Sequence, residues 1–303
     1  AVSAAGAGPA PEWLRRLNYY RTLARLAPVV EDAALSRGDN KHAVYLVKNY
    51  AETIKKAGLG ADAHSEERGN PWYSPEGLAA AHNSDVDEWY IPGGELTPPP
   101  DDPDEWVADR APGSEAWTID GWVELPLHRL PILNPNLRSA GYGKYCESGE
   151  CVAALDLGHF NTSKADSAPL GAPIEFPPAD AVLPLRSFSE EWPDPRTSCP
   201  GYAAPSGLPM TLQLGDWIDA QLGVYSIARV VADGKSSQLE ACGFDSASYA
   251  NPDREAQGRV RDILKSTGAV VVIPREPLEK GAKYRVAITV NGKQYNWSFS
   301  TAP

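Results

Sequence analysis

Apolar residues recur every three or four positions in the first part of the chain, which is the spacing of an amphipathic helix. We therefore predict helical structure within residues 11–58, with apolar faces formed by Trp13, Leu17, Tyr20 and Ala24 and by Val44, Val47, Ala51 and Ile54. Another helix is predicted in the segment SPEGLAAAH, because Ser74 is a favourable N-cap and Pro75 suits the first helical position. The chain thus opens with a helical region.

An acidic segment interrupts the helical pattern at residues 85–116. It holds ten Asp or Glu residues and a single arginine, and its prolines and glycines exclude regular structure over most of its length. Ser114 then predicts the start of a short helix that ends at Glu124, and two strand-like runs predict a hairpin over about residues 139–157. The mixture favours a first domain of helices and strands over residues 11–163.

The pattern changes to short alternating strands in the second half of the chain. Residues 164–185 are rich in proline and alanine, and we interpret them as a linker. Within residues 186–303 the clearest strands are PMTLQL, GVYSIARVV, AVVVIP and the hairpin KYRVAITV–NGK–QYNWSFST, in which Asn291-Gly292 is a strong turn signal. Short strands with a cysteine pair favour an all-β sandwich of Ig-like type, and the whole chain is predicted to be α+β.

Four cysteines are present, Cys146, Cys151, Cys199 and Cys242, and their number allows three disulfide pairings. We predict Cys146–Cys151 and Cys199–Cys242, because each bridge then stays within one domain. Buried free thiols and a zinc site are the alternatives, and the lack of any CxxC pair disfavours zinc. Paired cysteines favour an extracellular protein.

Charge and hydropathy exclude several classes of partner. The formal net charge of −12 over 303 residues disfavours nucleic acid and anionic membranes, since both require clustered Lys and Arg. No apolar run approaches the roughly 18 residues that span a membrane. The start AVSAAGAGPAPEW is typical of a mature N-terminus from which a signal peptide was removed, although a trimmed chain would look the same. We therefore expect a monomer that is secreted or at the cell surface, without a transmembrane segment.

Residues suited to acid–base or metal chemistry are concentrated in the first half, where all five histidines precede residue 163. The candidates are His42, His64, Glu76, His82, Glu124 and His128. A structural role is favoured for the mid-helix His42, and the helix dipole alone accounts for the helix-end charges of Glu76 and His82. His128 is harder to explain in this way, because apolar residues flank it and a buried imidazole requires hydrogen-bond partners.

The run GWVELPLHRLPILNPNLRSAGYG resembles the bacterial form of the CAP superfamily, whose members are also called SCP-like proteins. That family places a tryptophan before an HR pair, followed by IL, NP and a glycine-rich GxG strand. Here Trp122 precedes His128 by six residues and His128 precedes Gly141 by thirteen. Upstream, AHSEERGNPWYSPEGLAA resembles the histidine loop and the "GEN" segment, and LNYYRTLARLAPVVEDAAL resembles the opening helix and loop. The resemblance covers about residues 12–160.

This resemblance implies an α–β–α sandwich with a central cleft, in which two histidines and two glutamates hold zinc or another divalent metal. By position, three of these places correspond to His64, Glu76 and His128. The fourth acid of animal members falls on Leu125 here, so that Glu124, one residue earlier, is only an approximate match. Imidazole binds zinc in its neutral form, so affinity is expected to fall below about pH 6. The C-terminal VVVIPREPLEKGAKYRVAITVNGKQYNWSFST resembles bacterial Ig-like domains.

Two classes of function remain open. The first is a secreted binding module whose cleft holds a divalent metal and a glycan, a lipid or another small-molecule ligand. The second is an extracellular hydrolase of cell-wall glycan or another polysaccharide, with Glu76, Glu124 and His128 as catalytic residues. Peptide hydrolysis ranks below glycoside hydrolysis, because no HExxH helix is present.

Two other groups of residues bear on these alternatives. Four tryptophans either stack on sugar rings or pack the acidic segment onto the domain, namely Trp72, Trp89, Trp106 and Trp117. A second group offers oxygen ligands for calcium, namely Asp101, Asp102, Asp104 and Glu105. The calcium group lacks the spaced D-x-D-x-D-G pattern, so a solvated acidic segment is favoured.

Overall fold

The computed structural model describes residues 10–49, 61–91, 113–158, 172–231 and 235–303. Its chain divides into two compact units. The first consists of residues 1–22, 27–121 and 138–158, and the second of residues 23–26, 122–137 and 159–303. Several predicted positions lie outside the described residues, namely Ala51, Ile54, Trp106 and the four acids between residues 101 and 105.

The helices predicted in the first half are confirmed as separate elements. They are α1 (Glu12–Leu23), α2 (Ala33–Lys48), α3 (Pro75–Asn83) and α4 (Glu115–Glu124). Helix α3 begins as predicted, because the Ser74 side chain accepts a hydrogen bond from the backbone N–H of Gly77 and Pro75 follows directly. Ser114 caps α4 in the same manner through the backbone N–H of Trp117.

Five strands accompany these helices within the described residues. They are β1 (Val30–Glu31), β2 (Ser84–Tyr90), β3 (Ser139–Ala140), β4 (Gly143–Glu147) and β5 (Glu150–Asp156). Strands β2, β5 and β4 form an antiparallel sheet in that order, and β1 pairs with β3 in parallel. The predicted hairpin is therefore confirmed, and the predicted Cys146–Cys151 disulfide links its two strands. Residues 85–90 of the acidic segment belong to strand β2.

Helices cover both faces of this three-stranded sheet. On one face, Leu46 and Val47 of α2 pack with Val152 and Ala154 of β5. A Cβ atom at Gly143 would lie 2.0 Å from the backbone nitrogen of Asn40, so only glycine permits this close approach of strand and helix.

The opposite face carries aromatic contacts to α1 and α4. Trp13 stacks on Tyr142 at 5.7 Å between ring centroids, and Trp89 meets Trp117 edge to face at 5.5 Å. These contacts give the first unit the α–β–α layering that the family resemblance implied.

The second unit contains most of the predicted C-terminal strands. They are β6 (Ile174–Phe176), β7 (Val182–Leu183), β8 (Ser187–Phe188), β9 (Ser206–Gly207), β10 (Met210–Gln213), β11 (Leu222–Val230), β12 (Ser236–Gln238), β13 (Ala241–Phe244), β14 (Ala269–Pro274), β15 (Lys283–Val290) and β16 (Lys293–Thr301). One sheet has the order β13-β14-β10-β6 and a second has the order β12-β11-β15-β16-β7. Strands β8 and β9 form a separate pair. Since β6 and β7 lie within residues 164–185, part of the predicted linker belongs to these sheets.

The prediction of an all-β C-terminal domain is wrong, because the second unit contains helices. Helix α6 spans Arg254–Thr267. The carboxylate of Asp253 caps its N-terminus, and Gly268, in the left-handed conformation, follows its C-terminus. A seven-residue helix, α5 (Pro126–Ile132), also belongs to this unit and packs Leu127 and Leu130 into its core. The predicted Cys199–Cys242 disulfide is confirmed beside the same core.

Candidate functional site

His64 lies at the end of a 3₁₀ turn, Ala61–His64, that precedes helix α3. Its ring is partly buried, and Nδ1 lies 3.1 Å from the carbonyl oxygen of Ala81. Because a carbonyl oxygen only accepts hydrogen bonds, Nδ1 carries the proton. In the neutral ring, Nε2 is then the nitrogen without a proton.

Glu76 lies in the first turn of α3 and is exposed, with Lys41 Nζ at 3.1 Å from its carboxylate. A hydrogen bond from its own backbone N–H, together with Lys41, holds the pKa of Glu76 below its usual value. A general acid in glycoside hydrolysis requires a raised pKa instead. Glu76 is therefore suited to hydrogen bonding or ion pairing, and poorly suited to donate a proton near neutral pH.

A fully buried histidine–glutamate pair, His42 and Glu66, supports the loop that connects His64 to Glu76. His42 Nδ1 lies 3.0 Å from Glu66 Oε1, and His42 Nε2 lies 2.8 Å from the carbonyl oxygen of Ala63. The other oxygen of Glu66 accepts the backbone N–H of Ser74. Both ring nitrogens of His42 thus have hydrogen-bond partners. This histidine therefore has a structural role and is not a metal ligand in this structure. Glu66 was missed as its partner.

An exposed tryptophan projects from the same loop. Trp72 retains 47 % of its surface, and the Lys48 ammonium lies 4.9 Å from its ring centroid. Lys48 also lies 5.8 Å from the ring of Tyr145 and 2.6 Å from a carboxylate oxygen of Glu147. Asn70 fixes the loop backbone by accepting the N–H of Trp72 at 2.9 Å. We call these residues, Lys48, Asn70, Trp72, Tyr145 and Glu147, the Trp72 surface.

His128 lies in the first turn of α5, where it contacts Glu191. Its Nδ1 is 2.5 Å from Glu191 Oε1, and the same oxygen accepts the backbone N–H groups of Leu127 and His128. The carboxylate thus both caps a helix that begins without a side-chain cap of its own and orients the imidazole. Within the described residues, the buried Glu191 Oε2 has no hydrogen-bond partner.

Glu191 was not among the predicted site residues, whereas Glu124 was predicted as a fourth ligand or a catalytic acid. Glu124 ends α4, and its backbone carbonyl accepts a 3.5 Å hydrogen bond from Arg129. Arg129 itself is buried, and its guanidinium donates to the carbonyl oxygens of Val123 and Pro209. In the HR pair, the histidine therefore contacts a carboxylate and the arginine satisfies backbone carbonyls.

The predicted metal ligands belong to different compact units. His64 and Glu76 lie in the first, and Glu124 and His128 lie in the second. Across the described ranges, no group of three or more His, Cys, Asp or Glu side chains is placed to hold a metal ion. Zinc or another divalent metal at these residues therefore stays a prediction.

Residues 14–155 match the family model described as CAP, the Cysteine-rich secretory protein family. The chain contains a CAP domain. No curated protein matches the chain. His64, Glu76, Glu124 and His128 all fall within the CAP match, whereas Glu191, the partner of His128, falls outside it. Within the part of the chain that is described, no helix is long and apolar enough to cross a membrane.

Proposed function

We propose that this protein is an extracellular binding protein whose CAP domain binds a glycan at the Trp72 surface. The proposal rests mainly on the exposure of Trp72 on a loop that is fixed on both sides. An indole face in contact with water binds the apolar face of a sugar ring, while neighbouring charged and amide groups bind its hydroxyls. Lys48, Glu147 and Asn70 provide these polar groups.

The loop is organised before any ligand binds. The buried His42–Glu66 pair anchors it at one end, and Ser74 caps α3 at the other. A fixed loop loses little conformational entropy on binding, so more of the contact energy contributes to affinity. The two disulfides suit an oxidising compartment and support the extracellular part of the proposal. We further propose that the protein is a monomer and that its second unit is related to Ig-like domains.

Hydrolysis is a second candidate function, and one contact favours it. The His128–Glu191 pair has the geometry in which a carboxylate orients an imidazole for proton transfer at Nε2. In this version His128 is the general base. The version with Glu76 as general acid is disfavoured by the lowered pKa of that residue.

The glycan proposal is tested by fluorescence titration of the full chain with a tetramer of N-acetylglucosamine. Trp72→Ala is expected to weaken binding about tenfold, which corresponds to the roughly 1.4 kcal/mol of a stacking contact. Tyr90→Ala is the matched control, because Tyr90 is a second exposed aromatic residue and is not part of the Trp72 surface. Equal binding by wild type and Trp72→Ala, or no binding by wild type, contradicts the proposal.

Two further measurements separate the alternatives. Zinc titration of metal-free wild type, His64→Ala and His128→Ala tests the predicted metal site, which requires about one equivalent in wild type and loss in both variants. Incubation with the tetramer, followed by product analysis, tests hydrolysis. Cleavage that is lost in both His128→Ala and Glu191→Gln would identify the His128–Glu191 pair as catalytic and replace the binding proposal.

A further inference from the structure

A polar groove lies on the exposed face of the five-stranded sheet in the second unit. Its volume is about 680 Å³, within the range of about 300–1,000 Å³ that is typical of small-molecule sites. The segment 175–180 runs along one side of it. That segment is held by hydrogen bonds from Asp180 N to Ser298 O, at 2.7 Å, and from Trp297 Nε1 to Pro177 O, at 2.8 Å.

Short side chains around one arginine create the groove. In the ladder, Arg285 of β15 lies opposite Ala228 of β11 and Ser298 of β16. The next outward-facing row consists of Ser226, Ala287 and an asparagine. Since side chains alternate between the faces of a strand, all of these residues share the face of Arg285. The long guanidinium side chain is thus surrounded by small residues and remains exposed.

The lining is polar and carries charges of both signs. Hydroxyl and amide groups come from Ser226, Ser236, Gln238, Asn296 and Ser298, and carboxylates come from Glu175 and Asp180. Among the described residues that line the groove, Arg285 is the one basic residue. Within the described ranges, its guanidinium makes no hydrogen bond or ion pair. Guanidinium groups bind carboxylates in a bidentate manner, so Arg285 is a ready partner for a ligand carboxylate.

The two acids favour a cationic group of a ligand over a second anionic one. Burial raises the pKa of Glu175, with Arg25 acting in the opposite direction, so this carboxylate is short of water and would be stabilised by a positive partner. Across the sheet, Arg285 on β15 pairs with Ser298 on β16. The backbone of Asp180 is hydrogen-bonded to Ser298 on the other side of β16. Strands are about 4.8 Å apart, so the backbones of Arg285 and Asp180 are separated by roughly 10 Å.

We infer that this groove binds a short peptide with free termini, whose carboxylate pairs with Arg285 and whose ammonium pairs with Asp180 and Glu175. An extended tripeptide is about 10 Å long at roughly 3.4 Å per residue, which is close to the separation of the Arg285 and Asp180 backbones. The serine, glutamine and asparagine side chains then bind its backbone N–H and C=O groups. An acidic sugar would satisfy Arg285 but would bring only hydroxyls to the two carboxylates.

The test is isothermal titration calorimetry of the full chain with the tripeptide Ala-Ala-Ala. Arg285→Gln is expected to weaken binding at least tenfold and Asp180→Asn by about threefold to tenfold. N-acetylation or C-terminal amidation of the peptide is expected to produce losses of the same order. Lys283→Gln is the matched control, because Lys283 lies on the same strand and face but does not line the groove. It should bind as wild type does.

Three outcomes overturn the inference. They are no binding of the free tripeptide by wild type, equal binding by Arg285→Gln, and binding of a galacturonic acid trimer in place of the tripeptide. Trp72→Ala should bind the tripeptide as wild type does. A failure of the glycan proposal and a failure of this one are therefore observed separately.

Discussion

Asp39 is a buried carboxyl group whose protonation should make the stability of the protein depend on pH. It lies in α2 with no exposed surface, accepts a hydrogen bond from the Ser84 hydroxyl at 2.6 Å and accepts the backbone N–H of Asp156 at 3.1 Å. Burial raises its pKa to about 7, and the nearby Asp156 carboxylate acts in the same direction, whereas these hydrogen bonds oppose the shift.

The sign and size of the effect follow from linkage. The folded protein binds this proton more tightly than the unfolded chain, so the stabilisation is complete below pH 3.8 and is lost as the pH rises through about 7. A shift of about three pKa units corresponds to about 4 kcal/mol in total. Between pH 5 and pH 8 the wild type should lose about 2–3 kcal/mol from this group alone.

Asp39→Asn removes the titration while preserving the hydrogen bonds. The amide oxygen can accept the N–H of Asp156, and the amide nitrogen can donate to the Ser84 hydroxyl, which accepts as well as it donates. The free energy of unfolding is measured by urea denaturation of both proteins at pH 5 and pH 8. The variant should gain about 2–3 kcal/mol relative to wild type between these two pH values.

Glu67→Gln is the control, because Glu67 is an exposed carboxylate in the same unit. The difference in the free energy of unfolding between Glu67→Gln and wild type should be the same at pH 5 and at pH 8. If the difference between Asp39→Asn and wild type is also constant from pH 5 to pH 8, Asp39 does not titrate in this range and the reasoning is refuted.

Two other predictions concern stability. Glu191→Ala leaves the backbone N–H groups of Leu127 and His128 without their acceptor and should lower the free energy of unfolding by about 2 kcal/mol. The loss should be smaller in Glu191→Gln, whose amide oxygen can still accept these hydrogen bonds. Equal losses in both variants would contradict the capping role. The two disulfides should differ in effect, because they close loops with sequence separations of 43 and 5 residues. Replacing Cys199 and Cys242 by serine should lower the free energy of unfolding, measured by urea denaturation, by about 4 kcal/mol, and replacing Cys146 and Cys151 should lower it by about 2 kcal/mol. The reverse order would exclude the loop-entropy explanation.

Much of the fold was predictable because its signals are local. Ser74 and Pro75 mark the start of α3, and Asn291-Gly292 marks the last hairpin, whatever the rest of the chain does. Helix α6 carried equally local signals, the cap at Asp253 and the terminating Gly268, yet the strands on either side of it led to an all-β prediction. Here the error lay in weighing the signals, which were present in the sequence.

The partners of the histidines were not predictable in this way. His42 pairs with Glu66 across 24 residues, and His128 pairs with Glu191 across 63 residues. No periodicity or spacing rule connects positions that meet only through tertiary packing. Apolar neighbours in sequence indicated that His128 needs a hydrogen-bond partner, but the acid that provides it comes from a region where only strands were expected.

The path of the chain between the two units has a consequence for the modularity of this protein. The chain leaves the first unit after Gly121 and returns to it at Arg138, and the excursion carries Leu127 and Leu130 into the core of the second unit. A gene fragment that ends after the CAP match would therefore encode an α5 without the residues that bury it. Recombination at a single point cannot transfer either unit intact, so the two halves of this chain are expected to be inherited together.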